Sequence, residues 1–407
     1  MLVGFRRIAA ALNQTNYRAF TIGNAISLIG TWLQRVAVGW LAWQLTKSGT
    51  WLGLVAFADL FPTVLLSPVA GALADRFERL RIVIITQAIA MLQAIALSAL
   101  IFADMMTIDR LFALTMALGV VNALNQPARL ALIPSLVERE HLPSAVAINS
   151  ILFNSARFLG PAAAGFAIAH GGIGFAFLIN ALSYVAFLVS LALIRLGPTE
   201  LTPTRRSILS ETAEGYAYAA KHPGIGPMLL MLAITSLTTR AFVELLPGFA
   251  DAVFDRGPEG LAWLTGATGL GAMVGGLWMA QRPGTKGLTH LIVGNVLVMS
   301  AALIGFVATR NFGIAFCCLL VAGFSMVVNG ISAQTLVQYA AAAHMRGRVM
   351  ATYGMIFRGG PAIGALVMGI LSSHIGLQLA VGAGAVLCAV SWLWARRQRD
   401  RMAQALE

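Results

Sequence analysis

Charge is what this chain has least of. Asp, Glu, Lys and Arg make up 11% of its 407 residues, against about 25% in a soluble globular chain, so water is not its main solvent. Acid is the scarcer sign: 16 Asp+Glu face 28 Lys+Arg, a net charge of +12. In a soluble protein that excess points to nucleic acid. Here the basic residues sit in short loops between apolar segments, where they set topology and meet anionic lipid, so no nucleic-acid partner is expected. Cysteine is sparse too. Cys317, Cys318 and Cys388 lie in apolar runs with no CxxC or Cys/His spacing, which excludes a disulfide framework or a zinc site; no metal and no cofactor is expected. There is no Walker A sequence, so ATP is not the direct drive. No nucleophile–base–acid set appears, so no enzyme is expected. The glycines Gly269, Gly271 and Gly275 have the wrong spacing for a dinucleotide fingerprint and lie in an apolar run, where they read as helix packing. A cleavable signal is also missing: residues 1–17 are mixed and basic, and the first apolar run is of full membrane length.

What is present is apolar length. About 20 apolar residues cross a bilayer. Twelve runs qualify, near 18–44, 51–73, 82–103, 111–128, 145–169, 173–194, 226–250, 260–281, 288–308, 312–336, 349–372 and 376–395. They predict an all-α membrane protein with twelve transmembrane helices. The basic residues then sort by side. Arg6, Arg7, Arg18, Arg76, Arg79, Arg81, Arg129, Arg139, Arg195, Arg205, Arg206, Lys221, Arg282, Lys286, Arg346, Arg348, Arg396, Arg397, Arg399 and Arg401 fall at one set of ends. Only Lys47, Arg110, Arg256 and Arg310 fall at the other, and Arg35, Arg157, Arg240 and Arg358 lie inside the runs. Cytoplasmic loops retain Lys and Arg, so both termini are expected in the cytoplasm.

The longest polar interval, 195–225, separates spans six and seven. It divides the chain into a first half, 1–197, a linker, 198–225, and a second half, 226–407. Within the linker Ile208, Leu209, Ala213, Tyr216 and Ala220 recur at helical spacing before Pro223, which predicts a short amphipathic helix on the cytoplasmic surface. The halves echo one another. Span five carries Gly160, Pro161 and Gly165, span eleven carries Gly360 and Pro361, and arginines precede both at Arg157 and Arg358. Spans one and seven carry Arg35 and Arg240 at similar depth. Two related six-helix halves around a midplane site describe a secondary transporter.

The loop after span two adds a family resemblance. It reads Gly71-Ala72-Leu73-Ala74-Asp75-Arg76-Phe77-Glu78-Arg79, which resembles the G-x-L-A-D-R-x-G-R-[KR] signature of the major facilitator superfamily. Glu78 replaces a glycine and Leu80 a basic residue. The resemblance covers the whole chain and implies that Gly71, Asp75, Arg76 and Arg79 form a cytoplasmic conformational latch. Gly71 is expected to admit a neighbouring helix closely. The Gly-Pro pair of span five resembles the antiporter motif of drug exporters in that superfamily, with Ala147, Ala156 and Ala164 in place of three of its glycines. A helix kink without directional meaning is the other reading of that pair. Gly30-Thr31-Trp32-Leu33-Gln34, Asn125-Gln126-Pro127-Ala128-Arg129 and Arg346-Gly347-Arg348-Val349 resemble the bacterial branch that includes enterobactin-exporter-type siderophore exporters. That likeness implies efflux.

Buried charge supplies the candidate site. Arg35, Arg157, Arg240, Arg358 and Asn154 are expected to line a substrate cavity, because an intramembrane charge is costly and marks a pathway or a pair. Arg35 and Asp59 stand at comparable depth and are placed to pair; Arg240 and Glu244, four apart, are expected on one helix face. Structural ion pairs are the alternative for both. Asp59 and Glu244 are the membrane acids able to carry protons, since arginine does not titrate. The tryptophans, Trp32 among them, read as an interfacial belt. Asn24, Gln34, Asn125, Asn295 and Asn329 need partners or a wet cavity. The expected function is proton-coupled efflux of a small amphipathic or anionic molecule by alternating access, in the bacterial cytoplasmic (inner) membrane. The expected partners are the substrate, protons and membrane lipid, and the expected state a monomer. Lipid or lysophospholipid movement, uptake, and a receptor without net flux are the alternatives.

Overall fold

The computed structural model describes residues 10–196, 208–282 and 284–407, and every regular element among them is helical. The first half contains α1 (Thr15–Thr46), α2 (Gly49–Arg76), α3 (Arg79–Phe102), α4 (Ile108–Leu132) and α5 (Leu142–Ala192). Then come α6 (Ile208–Lys221), α7 (Ile225–Thr238), α8 (Gly257–Ala280), α9 (Leu288–Ala308), α10 (Phe312–Ala340), α11 (Arg346–Ile375) and α12 (Leu377–Leu406). Among the described residues, eleven segments are long and apolar enough to cross a membrane. One of them, Arg139–Ala192, has 54 residues, about twice what a bilayer needs. It breaks at Gly172, where φ 76° and ψ 177° leave the helical region and only glycine is at ease. That segment supplies spans five and six, so the eleven make twelve crossings. Arg6, Arg7, Arg205 and Arg206 lie outside the described residues.

The chain clusters into two compact units, Met1–Leu45 with Pro62–Arg205, and Thr46–Phe61 with Arg206–Glu407. Span two is therefore shared out. Its end away from the basic loops, 46–61, belongs to the second unit, because glycines let it lie on α11. A Cβ built on Gly53 would sit 2.4 Å from the Ala365 carbonyl oxygen, and one on Gly49 1.9 Å from Ser372 Oγ. Gly369 in turn faces Gly49 O at 2.4 Å and Gly53 Cα at 3.0 Å. Small residues four apart on both helices produce this backbone-on-backbone crossing. Beside it Lys47 Nζ meets Asp251 Oδ2 at 2.6 Å. Asp251 carries no signal in the sequence beyond being an acid at a span end.

Span seven is not one helix. After α7 the chain runs as a 3₁₀ segment (Ala241–Leu245), one α turn (Leu246–Gly248) and a π segment (Phe249–Val253). This overturns the shared face expected of Arg240 and Glu244. Residues four apart are neighbours at 3.6 residues per turn, but at three per turn they point about 120° apart. Mid-span irregularity of this kind recurs at functional sites.

The linker forms the helix expected of it, α6. Of its described side chains, Gly215 and Ala219 are buried, whereas Tyr216 is 65% exposed and Ala220 is exposed. The side chains of Ile208, Leu209 and Ala213 lie outside the described residues; the packed face carries the small residues. Gly215 decides this: a Cβ there would lie 2.8 Å from Arg348 Cβ and from Arg348 O, so the helix rests on the start of α11. Glu214 pins it with a 2.5 Å ion pair to Arg348. Just beyond, His222 Nδ1 accepts from the N–H groups of Gly224 and Ile225, each at 3.2 Å. Burial pushes this imidazole below its ordinary value, so the neutral, accepting form is favoured. The stability it lends is present above the ordinary histidine pKa and is lost as pH falls through its depressed value.

Candidate arginine–aromatic site

Most of the buried neutral polar residues are helix–helix glue. Gln34 Nε2 donates to Gln93 Oε1 (2.9 Å), Asn180 Nδ2 donates to Gln34 Oε1 (2.7 Å), and Gln93 Nε2 donates to Leu114 O (3.2 Å). This chain ties α1, α3, α4 and α5 together. Asn125 Nδ2 donates to Thr86 Oγ1 at 2.7 Å. In the second unit Asn295 Nδ2 donates to Ser325 O and Asn329 Oδ1 at 2.9 and 3.0 Å. Each of these side chains finds a protein partner, as the membrane interior requires. Asn154 spends its amide on Ser150 O of its own helix, 2.8 Å away.

The intramembrane arginines behave differently: three of the four lie on aromatic rings. In the first unit Arg35 stands 5.5 Å and Arg157 5.8 Å from the Trp32 ring centroid. Phe153 meets the same indole edge-on at 5.9 Å. Trp32 thus does not belong to an interfacial belt. It is half-buried in the middle of α1, and Trp40 and Trp43 are buried as well. In the second unit the Arg240 guanidinium lies 3.8 Å from the Phe357 centroid, and Phe357 stacks on Tyr353 at 5.6 Å and 23°. A charged side chain in mid-bilayer costs about 3 kcal/mol, and a desolvated cation–π contact offsets about 2 kcal/mol of that.

The Gly-Pro kinks bring these pairs together. A Cβ on Gly160 would fall 2.3 Å from Trp32 Cβ, and one on Gly360 2.4 Å from Ser236 Cβ. The crossing of span five on span one therefore matches that of span eleven on span seven. At this register the counterpart of Arg157, three residues before the glycine, is Phe357. Arg358 stands one residue further on, about 100° around the helix. The apparent equivalence of Arg157 and Arg358 is thus corrected. The ring sits on span one in the first unit and on span eleven in the second, while the first unit's arginines come from spans one and five and the second unit's from span seven.

The remaining candidates fall elsewhere. Arg129 is not a loop charge; it lies in the last turn of α4, half-buried, and Nη1 donates to Asn24 Oδ1 at 3.3 Å. Arg79 Nη1 donates to Ala131 O at 3.1 Å, and Arg76 is exposed. Among the described residues, a Cβ on Gly71 would meet nothing within 4 Å. The side chain of Asp75 lies outside the described residues. Gly165 is buried in α5, and Pro161 and Pro361 lie inside α5 and α11. Glu138, Glu140 and His141 bring ligand atoms within 4.8 Å of one another on a surface turn; exposed acidic groups of this kind are common without a metal.

Comparison with known proteins agrees with this architecture. The family model for transmembrane secretion effectors matches residues 8–406. The staphyloferrin A transporter of Staphylococcus aureus is 24% identical over 88% of this chain and 90% of its own length. The enterobactin exporter EntS of Escherichia coli is 25% identical over 88% of this chain and 85% of its own. An uncharacterized MFS-type transporter of Bacillus subtilis is 26% identical over 90% and 89%. Among solved structures, a POT family transporter in complex with 5-aminolevulinic acid superposes with a TM-score of 0.74 at 12% identity, covering 95% of this chain and 96% of that one. A bacterial homologue of the lysosomal transporter Spinster gives 0.70 at 14%, covering 96% and 98%.

Proposed function

For a chain that belongs to the major facilitator superfamily, in its family of transmembrane secretion effectors, we propose proton-coupled export of a small anionic molecule of the siderophore type. It is a multi-pass membrane transporter, and we place it in the bacterial cytoplasmic membrane with both termini inside. The observation that carries the anionic reading is the pair of arginine–aromatic stacks, one mid-span in each unit beside a Gly-Pro kink. Relatives named as an enterobactin exporter and a staphyloferrin A transporter favour iron chelators over other anions. Arg35, Arg157, Arg240 and Arg358 supply the positive lining. The loop carrying Gly71, Asp75, Arg76 and Arg79 serves as the latch at the cytoplasmic end. The halves are 1–197 and 226–407, joined by the linker between them, and they alternate access to the site.

The test is flux in liposomes with an imposed pH gradient, across a panel of carboxylate and catechol chelators. At least one should accumulate against its gradient, and collapse of the pH difference should stop it. A panel that leaves every chelator unmoved while an unrelated amphipathic cation is pumped overturns the anionic reading.

Coupling is assigned to Asp59 and Glu244. Burial raises a carboxyl pKa and a nearby arginine lowers it, so a change of surroundings between states switches protonation. Asp59→Asn is expected to abolish gradient-driven flux while leaving substrate exchange at equilibrium; Glu244→Gln is the second candidate for the same phenotype. Full gradient-driven transport in both variants excludes a membrane carboxylate as the coupling group.

A further inference from the structure

In the second unit an arginine, two aromatic rings and a glycine converge at the break in span seven. α7 ends at Thr238, and the N–H groups of Thr239 and Arg240 both turn back to Thr235 O, at 2.9 and 3.1 Å. That turn aims the Arg240 side chain at α11, where its guanidinium covers Phe357 at 3.8 Å. Tyr353 stacks on Phe357, and the Tyr353 hydroxyl donates to Gly330 O at 2.9 Å, a buried bond. Gly330 lies beside both partners: a Cβ there would stand 3.2 Å from Phe357 Cε2 and 3.8 Å from Arg240 Nη1. The guanidinium thus sits over a ring, with a bare stretch of backbone close by.

What the cluster lacks points to a ligand. Nε of Arg240 is sealed from solvent and makes no hydrogen bond among the described residues. The cation–π contact satisfies the face of the guanidinium and none of its in-plane N–H groups. A stacked guanidinium presents those donors as a rigid fork, which matches a carboxylate in two parallel bonds. Phe357 and Arg240 are both only half-buried, so the edge of the stack stays open.

We propose that Arg240, Phe357, Tyr353 and Gly330 form a specificity subsite for a carboxylate carried on a flat aromatic system. The carboxylate takes the donor edge of Arg240, and the aromatic plane continues the Phe357–Tyr353 stack. A saturated carboxylate of the same size and charge gains the first contact and misses the second. The subsite rests on reading the chain as a transporter of small anions and narrows the class of anion.

Binding to the purified full-length protein tests this, by calorimetry with three probes: 2-naphthoate, decahydro-2-naphthoate and neutral 2-naphthylmethanol. Wild type should bind naphthoate about fivefold more tightly than its saturated analogue, the scale of one aromatic or cation–π contact. The alcohol should bind more weakly than either. Phe357→Leu should erase the preference for the flat probe and keep carboxylate binding. Phe357→Tyr should restore the preference. Arg240→Lys keeps the charge without the planar fork, and should weaken both carboxylates while flattening the difference. Equal binding of the two carboxylates by wild type overturns the subsite, as does a preference that survives both Phe357→Leu and Arg240→Lys. If Phe357→Leu fails to fold, wild type and Arg240→Lys still decide. The outcome is separable from the transport reading. Chelator flux untouched by these variants removes the subsite and leaves the exporter, whereas selective naphthoate binding without any flux leaves the subsite and removes the exporter.

Discussion

Joining Gly49→Cys to Ser372→Cys should stop transport outright, and reducing the bond should bring it back. The two positions touch: a Cβ on Gly49 lies 3.1 Å from Ser372 Cβ, and a relaxation of well under 1 Å reaches the spacing of about 3.8 Å that a disulfide prefers. The reason to expect a complete block is the division of span two. Its 46–61 end is packed into the second unit by Gly49, Gly53 and Gly369, while the rest of the helix belongs to the first unit. In the alternating access proposed above, this end of span two parts from α11 in one half of the cycle. Apart from Ser372 the approach is backbone on backbone, so the contact is lost as a whole when the helices separate and is held as a whole when they are bonded. The measurement is counterflow in liposomes, in a background with Cys317, Cys318 and Cys388 replaced, before and after a reductant. Transport at the uncrosslinked rate in a fully crosslinked sample would show that the clasp stays shut throughout the cycle. The Lys47–Asp251 ion pair beside it at 2.6 Å is 57% and 29% exposed at its two side chains. Breaking it alone should therefore matter far less than the disulfide.

The fold was legible because the membrane leaves few choices. Backbone groups in hydrocarbon must be satisfied within the segment, so apolar runs of the right length could only be helices. The position of the fifth-to-sixth turn, between 169 and 173, was legible for the same reason: Gly171-Gly172 is the one flexible pair in a run too long for a single crossing. Breaks inside a span were harder to see. Nothing in Thr239-Arg240-Ala241-Phe242-Val243-Glu244 separates a 3₁₀ segment from an α-helix, since propensities are close and packing decides. The expected placement of Arg240 and Glu244 on one α-helical face failed for that reason. α6 was legible as a helix, but not the face it packs. A helix pressed against backbone buries its smallest residues, so Gly215 and Ala219 form the contact.

The arginines show the same limit at the site. Their presence inside apolar runs was plain, and acids were sought as their partners. The structure also sets rings against them: Trp32 for Arg35 and Arg157, Phe357 for Arg240. A signal did exist. Trp32 stands three residues before Arg35, and Phe153 four before Arg157, spacings that put ring and charge on one helix face. The register of the Gly-Pro pairs also held more than it first gave. Counting back from the glycine, rather than looking for the nearest arginine, matches Arg157 to Phe357 and sets Arg358 aside.

Replacing Arg157 should therefore cost more in binding than replacing Arg358, although the two look alike in the sequence. Arg157 lies with Arg35 on the Trp32 ring, at the crossing that Gly160 makes possible. Both guanidinium groups stand on one indole, so an anion bound beside that ring is within reach of hydrogen bonds from either. A hydrogen bond to a charged group contributes about 1.5–3 kcal/mol, and every 1.4 kcal/mol is about tenfold in affinity. Arg157→Gln should then weaken binding of the transported anion by roughly ten- to a hundredfold. Arg157→Lys keeps the charge but not the planar stack, and should fall between the two. Trp32→Leu should weaken binding in the same direction by about fivefold, since it removes the ring that orients both cations and leaves their charge in place. Membrane insertion should be unaffected in all three, because Arg157 lies inside a span and takes no part in the loop bias that sets topology. Binding titrations on purified protein, read beside thermal unfolding, separate the possibilities. If Arg157→Gln lowers the melting temperature and leaves affinity unchanged, the stack is a helix fastening and the substrate binds elsewhere. If affinity falls while melting holds or rises, the stack serves the substrate rather than the fastening of the helices.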